Sequence, residues 1–348
     1  HKAMLSPQEY RARLASGETD GLAHQVADHS ESPVLQVTVS KVERMSADVT
    51  KFEFRAPDGG DLPAWTAGAH LDIVVAPEFL RQYSMSGDPA DASIYQIGVL
   101  REDEGRGGSA LMHRIFNEGR RVFLAKPINH FPLVEEATRT LLMGGGIGIT
   151  PMIAMAHRLQ ALGADFEVHY SIPSRDTAGF LNDLKGFTLH DRVHLHVSDE
   201  GTRANLDALL GGYQDGWHVY TCVPDRFMSA VLEAAERAGY PEAARHLEYF
   251  SVPEVPEYEN HAFTLRLAKS GRDLLVPADK SATDVLAEAG VHVDVKCSDG
   301  LCGVCKCGLV SGAVEHRDFV LSHAERDSAI ILCQSRAAEE DGVIEIDL

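Results

Sequence analysis

Long hydrophobic runs are missing from this sequence. No stretch of its 348 residues approaches the roughly 20 apolar residues that cross a bilayer as a helix, so no membrane-spanning helix is expected. A charged-then-apolar leader is missing too, so no secretory signal is expected. Positive charge is scarce. Lys and Arg total 32 against 52 Asp and Glu, a formal net charge of −20. That balance argues against nucleic acid and anionic membrane surfaces as partners, and it permits docking on a protein with a basic patch. Cysteine is nearly absent from the first 296 residues, where Cys222 stands alone. A disulfide framework is therefore excluded, and clustered thiols point to a reducing cytoplasm. What the chain does have is length for two or three domains and 44% hydrophobic residues, the composition of globular cores.

The other five cysteines crowd into the last fifth of the chain, as Cys297, Cys302, Cys305, Cys307 and Cys333. The spacing C-x4-C-x2-C followed by a distant Cys333 is the plant-type ligand run of a [2Fe–2S] cluster. That chemistry needs four thiolates, two on each iron. Gly300 and Gly303 let the backbone curl around the cluster and aim amides at its sulfurs. The set Cys297, Cys302, Cys305 and Cys333 is complete without Cys307. The alternative is zinc, but a structural zinc site usually shows two short paired spacings, where this run is three plus one.

Ahead of that loop the chain changes character twice. His1-Lys2-Ala3 before Met4 reads as a cloning remnant, and residues 1–33 form a polar arm with one helical piece, Ser6 to Leu14. Residues 34–133 carry short strands such as Val34–Val39, Thr50–Phe54 and His70–Val75 between Gly, Pro and Asp clusters, which suggests a small antiparallel barrel. Two features there could hold a phosphate-bearing ligand. One is Arg81-Gln82-Tyr83-Ser84. The other is the Gly-rich turn through Gly107, Gly108 and Ser109 into a helix from Ala110 to Asn117. Taken singly, each is a weak signal.

Residues 134–252 then alternate strand and helix. An apolar strand leads into Gly144-Gly145-Gly146-Ile147-Gly148-Ile149-Thr150-Pro151, and Met152, Met155, Ala156 and Leu159 follow at helical spacing. Thr150 suits the N-cap and Pro151 the first turn. Strand, glycine turn and helix form the dinucleotide arrangement, although the glycine order is not the usual G-x-G-x-x-G. The next strand ends at Arg175-Asp176, where a carboxylate favours a ribose hydroxyl and an arginine favours a 2′-phosphate; NADH is preferred over NADPH. His194 and His196 share one strand face, with no third metal ligand evident, so they read as structural. Cys222 ends a strand, where either a ligand or a buried structural thiol fits. Residues 253–260 read as a linker, and 261–348 as the domain carrying the cysteines.

Taken together, the ordered set resembles the phthalate dioxygenase reductase family, within the ferredoxin–NADP reductase superfamily, with a plant-type ferredoxin fused at the C-terminus. The set is Arg81-Gln82-Tyr83-Ser84, Gly107-Gly108-Ser109, Gly144 to Pro151, Glu248-Tyr249-Phe250 and the four cysteines. Asn129-His130-Phe131-Pro132-Leu133 and His316-Arg317-Asp318 with Leu321 add to the likeness. The resemblance implies a multidomain fold: an antiparallel β-barrel flavin domain, an α/β parallel-sheet nicotinamide domain and an α+β β-grasp ferredoxin domain. It implies FMN held by Arg81, Gln82, Tyr83, Ser84, Gly98, Val99, Leu100, Gly107, Gly108, Ser109 and Phe250. It implies NADH held by Gly144, Gly145, Gly146, Ile147, Gly148, Thr150 and Pro151, with Arg175, Asp176, Cys222 and Pro224, and it places Ser84 and Glu248 near the reacting ring. Two departures stand out: the family more often has another residue in place of Leu100, and it has glycine where this chain has Val223.

Hydride transfer needs no side-chain acid or base, so no general base is nominated. The expected protein is a monomeric NADH-dependent oxidoreductase passing electrons through FMN and [2Fe–2S] to a Rieske-type oxygenase that hydroxylates or demethylates a small molecule. The flavin accepts a hydride and releases electrons singly, which bridges a two-electron donor to a one-electron cluster. An alternative is a reductase for a haem-thiolate monooxygenase or a separate ferredoxin. A non-enzyme alternative is a redox-sensing or zinc-stabilised binding module.

Overall fold

The computed structural model describes residues 34–76, 79–102, 108–186, 190–250, 258–295 and 297–348. The N-terminal arm with its helical piece, Gly107 and residues 253–257 of the linker lie outside these. The chain divides into two compact units after Phe250.

The first unit opens with six antiparallel strands: β1 (Val34–Arg44), β2 (Val49–Arg55), β3 (His70–Ala76), β4 (Phe79–Ser84), β5 (Tyr95–Leu100) and β6 (Arg121–Ala125), with helix α1 (Gly108–Ile115) before β6. Their order is β4-β3-β6-β1-β2-β5, and a bridge from Met85 to Ile97 joins the end of β4 to β5, which rolls the sheet towards a barrel. Alternation explains the pairing: Phe52 and Phe54 of β2 and Leu71 and Ile73 of β3 point inward and are fully buried. Each such side chain contributes about 1.5–3 kcal/mol on burial. The expected helix from Ala110 to Asn117 is present but begins at Gly108.

The same unit continues into a parallel sheet: β7 (Arg139–Gly145), α2 (Ile149–Ala161), β8 (Phe166–Ile172), α3 (Leu181–Lys185), β9 (Val193–Val197), α4 (Leu206–Leu210), β10 (Trp217–Cys222), α5 (Asp225–Ala238) and β11 (Arg245–Leu247). The order is β11-β10-β7-β8-β9. Strands after β7 run outward on one side and strands from β10 on the other, so the chain reverses between β7 and β10, where open sheets of this kind bind ligands. Helix α2 begins two residues earlier than Thr150 as N-cap would require: Gly148 caps it, and Thr150 turns its hydroxyl back to the Ile147 carbonyl at 3.1 Å. The glycine turn tightens into a short 3-10 segment, Gly146–Gly148, which moves the cap upstream.

The second unit is a mixed five-stranded sheet with a short helix, α6 (Ala282–Glu288). Its strands β12 (Phe263–Leu267), β13 (Arg272–Val276), β14 (Lys306–Ser311), β16 (Ala329–Ile331) and β18 (Val343–Ile346) lie in the order β13-β12-β18-β14-β16. A two-stranded ribbon, β15 (Val314–Glu315) with β17 (Arg336–Ala337), and a last short helix, α7 (His323–Arg326), complete it. Ser281 caps α6 in a capping box with Asp284. Phe263, Leu265 and Leu267 alternate into a core shared with Leu286, Ile344 and Ile346, beside Cys305 and Cys333.

Candidate functional site

Strand β4 sets Arg81 to Ser84 on alternating faces opposite β3, with Gln82 paired to Asp72 and Ser84 to His70. Arg81 lies against the start of α1: a Cβ built on Gly108 would come 2.6 Å from Arg81 Nε. A guanidinium and the amide end of a helix thus converge, the arrangement that favours a phosphate. Ser109 sits beside them, its hydroxyl accepting from the Glu102 amide at 3.1 Å. Gln82 is exposed and Tyr83 half-buried. Burial raises the Tyr83 phenol pKa well above its ordinary value despite the nearby Arg81 charge, so the ring stays neutral.

Strand β5 carries the next group. A Cβ on Gly98 would come 2.5 Å from the Phe180 ring and 3.0 Å from Thr150 Cγ2, so the barrel touches the first turn of α2 at this point. Leu100 is half-buried, whereas the Val99 side chain is fully buried in the barrel, which leaves only its backbone to face a ligand. The Val99 carbonyl is 3.0 Å from His113 Nε2. Sequence reasoning had no signal for Phe180. It sits in the left-handed region at φ 65° and is buried, with its ring against Gly98.

At the reversal between β7 and β10, the glycine turn presses on the segment Cys222-Val223-Pro224. A Cβ on Gly148 would fall 2.1 Å from the Cys222 carbonyl oxygen and 3.0 Å from its Sγ. Gly145 likewise meets Pro224 and Val223. Gly146 differs: its φ is +54° and nothing lies within 4 Å, so its backbone faces open space that a ligand can enter. Cys222 is buried, and burial with the neighbouring Glu248 charge pushes its thiol pKa well up, which makes it an inert protonated thiol.

Glu248 ties the two sheets together. Its amide donates to the Thr221 carbonyl at 3.1 Å, and its Oε2 accepts from the Ser84 hydroxyl at 3.2 Å. Burial pushes its carboxyl up to about 7, partly opposed by the Ser84 bond. Lys51 of β2 makes a second tie, donating to Asp183 of α3 at 2.9 Å. Phe250 is 43% exposed, an apolar ring with a free face at the end of this unit. Beyond β8, Arg175 is held in a two-pronged pair by Glu200, at 2.6 and 3.1 Å, and Asp176 is exposed. Glu200 was invisible to the spacing argument because it follows a different strand.

The second unit holds five of the six cysteines, and none of the six is in a disulfide. The side chains of Cys297 and Cys302 touch, those of Cys305 and Cys333 touch, and Cys297 also reaches Cys333. The four thiols thus form one connected group, the donor set that the spacing calls for. Among the described residues, however, the group of three ligand atoms within 4.8 Å of one another is Glu167, His169 and His194. The Asp299 amide donates to Cys297 Sγ at 3.4 Å. Gly300 and Gly303 adopt φ of 74° and 72°, as the curled loop requires. Buried Asp318 braces the loop, accepting from the Val320 and Leu321 amides, while Gln334 donates to the Ser298 carbonyl at 2.6 Å. Cys307 lies on β14, half-buried, outside this set.

Comparison with known proteins agrees with this geometry. The family described as a 2Fe-2S iron-sulfur cluster binding domain matches residues 265–338. The reductase subunit of the tert-butanol monooxygenase / tert-amyl alcohol desaturase of Aquincola tertiaricarbonis is 39% identical over 316 residues, covering 87% of this chain and 93% of that protein. The crystal structure of phthalate dioxygenase reductase, described as modular for electron transfer from pyridine nucleotides to [2Fe–2S], superposes with a TM-score of 0.66. It is 33% identical and covers 90% of this chain and 98% of that one. An intact type IV self-sufficient cytochrome P450 monooxygenase superposes with a TM-score of 0.79 at 35% identity, covering 91% of this chain; this chain spans 41% of that protein's length.

Fold, thiol set and relatives together define an oxidoreductase that joins a flavin, a pyridine nucleotide and a [2Fe–2S] cluster. The chain belongs to the phthalate dioxygenase reductase family, the reductase components of oxygenase systems. No helix among its described residues is long and apolar enough to cross a membrane.

Proposed function

We propose that this chain takes a hydride from NADH and delivers electrons singly, by way of FMN and a [2Fe–2S] cluster, to a separate Rieske-type oxygenase in the cytoplasm. The observation that carries the reading is the Ser84–Glu248 hydrogen bond, 3.2 Å long, which joins the end of β4 to the reversal of the parallel sheet. It brings the arginine–helix cradle and the glycine turn to one place within one unit, as transfer between two stacked rings demands.

Arg81, Gly108 and Ser109 fit a flavin phosphate, and Gln82, Tyr83, Ser84 and Gly98 would hold its ring, with the backbones of Val99 and Leu100 along one edge. The Gly144–Pro151 turn with Cys222 and Pro224 would hold the nicotinamide half of the donor. The exposed ring of Phe250 suits a cover that yields when the nucleotide enters. Asp176 and the engaged Arg175 support NADH over NADPH, because an arginine already paired with Glu200 is poorly placed to meet a 2′-phosphate. The four thiols Cys297, Cys302, Cys305 and Cys333 would hold the cluster. When bound, the flavin accepts an electron pair and passes single electrons on. The chain's own residues bind and orient; the neutral Cys222 thiol and Tyr83 phenol take up or release no proton in the step.

Anaerobic titration of the purified protein with NADH tests this, read by visible absorption and low-temperature EPR. The reading expects bleaching of flavin and cluster bands with a reduced-cluster signal. A colourless protein that carries zinc and does not react would overturn it. The match to a self-sufficient cytochrome P450 monooxygenase favours a second reading, a haem-thiolate partner. Mixing the reductase and NADH with purified candidate oxygenases of each class separates the two.

A further inference from the structure

A row of ligand-type side chains runs along the edge of the parallel sheet, on residues the electron path does not use. Glu167 and His169 lie two apart on β8, and His194 and His196 two apart on β9, so each pair shares a face. The parallel register sets His169 beside His194 and Ser171 beside His196. One ligand atom from each of Glu167, His169 and His194 lies within 4.8 Å of the others. His169 is the centre: its Nε2 is 3.1 Å from Glu167 Oε2, its Nδ1 is 3.0 Å from His196 Nε2, and its ring stacks on His194 with centroids 4.8 Å apart. His169 is buried while His194 is exposed, so the group opens to solvent on one side only. Arg139 donates to Glu167 Oε1 at 3.1 Å, which leaves Oε2 facing the imidazoles.

We propose that Glu167, His169 and His194 bind a divalent transition-metal ion of the zinc type, with His196 as the outer partner that fixes the His169 ring. Two imidazoles and a carboxylate are borderline donors that suit zinc, whereas calcium and magnesium ask for an all-oxygen cage. Glu167 Oε2 and His169 Nε2, 3.1 Å apart, already stand at the spacing that zinc bonds of about 2.0–2.2 Å set; the exposed His194 is free to swing in. With the ion bound, His169 Nε2 becomes the ligand and its Nδ1–H donates to His196 Nε2, the outer-sphere bond that orients a metal-bound histidine. Water from the open side takes the remaining position. Arg139 is the cation bonded to this group; it positions the carboxylate and weakens the attraction for a cation, so micromolar affinity is expected. Bound metal would staple β9, the edge strand, to β8, and so protect an exposed edge.

The test is equilibrium dialysis of the full-length oxidised holoprotein against buffered zinc, with zinc and iron counted together by elemental analysis. The expected result is one zinc per chain at micromolar free ion with iron retained. His194→Gln should weaken uptake by more than about tenfold, and His196→Asn by roughly tenfold. Because His194 is exposed, His194→Gln keeps the fold; its visible spectrum and unfolding temperature without metal should match the parent. Zinc should raise the unfolding temperature of the parent and not of that variant. Three results would overturn the proposal: no uptake at tens of micromolar zinc, equal uptake by parent and His194→Gln, or uptake only as iron is lost, which would mean that the cysteine loop had taken it.

Discussion

The cysteine loop and the glycine turn, the two segments proposed to face cofactors, are built on opposite plans. The loop draws three of its four thiols from nine consecutive residues, with Cys333 the one distant member. The proposed flavin and nicotinamide sites are assembled from far-separated segments: β4, the start of α1, the Gly144–Gly148 turn, Cys222 to Pro224, and Glu248. A site held by one loop fails all at once when a ligand is lost. A site assembled from many segments degrades in parts. Substitutions can break or sharpen that contrast.

The largest effect is expected in the loop. Cys333→Ser or Cys305→Ser should abolish cluster incorporation and electron delivery to an oxygenase, while NADH-driven reduction of ferricyanide at the flavin continues. Iron content and the two activities measured side by side check this. Cys307→Ser, a thiol of the same loop region on β14, should leave both unchanged; loss of iron there would show that the ligand set is drawn wrongly.

Next comes the glycine turn. Gly148→Ala places a methyl 2.1 Å from the Cys222 carbonyl oxygen, a collision with backbone that cannot swing away. Relief by shifting the turn should cost about 1–3 kcal/mol of stability. It should also raise the KM for NADH while the flavin content and the iron content hold. Gly146→Ala has open space around its Cβ but a positive φ, so its cost is backbone strain alone, and it should be the milder of the two. Equal effects at both positions would mean that close packing against Cys222 is not what the turn is for.

This contrast also explains what could be read from the sequence. The thiol spacing and the strand–glycine–helix run are local, and local geometry survives in one dimension. The parallel sheet and the sheet-and-helix fold around the cysteine loop follow from them. Pairings between elements do not survive so well. Glu200 lies 25 residues from Arg175 and meets it only because β8 and β9 are neighbours in register. Phe180 reaches Gly98 from a distant part of the same unit and in a backbone region that its side chain does not announce. His194 and His196 showed no third ligand because Glu167 and His169 sit on the adjacent strand. The start of α2 moved for a smaller reason: a 3-10 turn of glycines stands where a threonine cap is locally plausible.

A smaller effect is expected from the ion pair beside the nucleotide site. Glu200→Gln removes the charge that holds Arg175 and frees a guanidinium near the proposed ribose pocket. The ratio of kcat/KM for NADPH to that for NADH should rise by roughly tenfold, about 1.4 kcal/mol. Arg175→Ala in the same background should cancel the gain. An unchanged ratio would place the ribose elsewhere.

The subtlest prediction concerns the hydrogen bond that joins the two sheets. The Glu248 carboxyl is pushed up to about 7 from an ordinary 4.5, chiefly by burial. The folded protein therefore holds a proton there that the unfolded chain has already released. Stability from this group is fully present below about pH 4.5, declines as pH rises from there to 7, and stays lower above, by at most about 3 kcal/mol. Glu248→Gln keeps an acceptor for the Ser84 hydroxyl and carries no charge, so the stability of the parent relative to this variant should fall across that window; His169 and His246, whose imidazole pKa is lowered by burial to about 4, add a rise with pH that is common to both proteins and cancels in the comparison. Denaturant unfolding at pH 5 and pH 8 for both proteins reads the difference. The rate of flavin reduction by NADH should show a matching inflection near pH 7 in the parent, because the charge beside Ser84 changes there, and none in the variant. A parent-minus-variant difference that stays flat from pH 5 to pH 8 would mean that Glu248 is ionised throughout, with the Ser84 hydroxyl bonded to an anion at every pH.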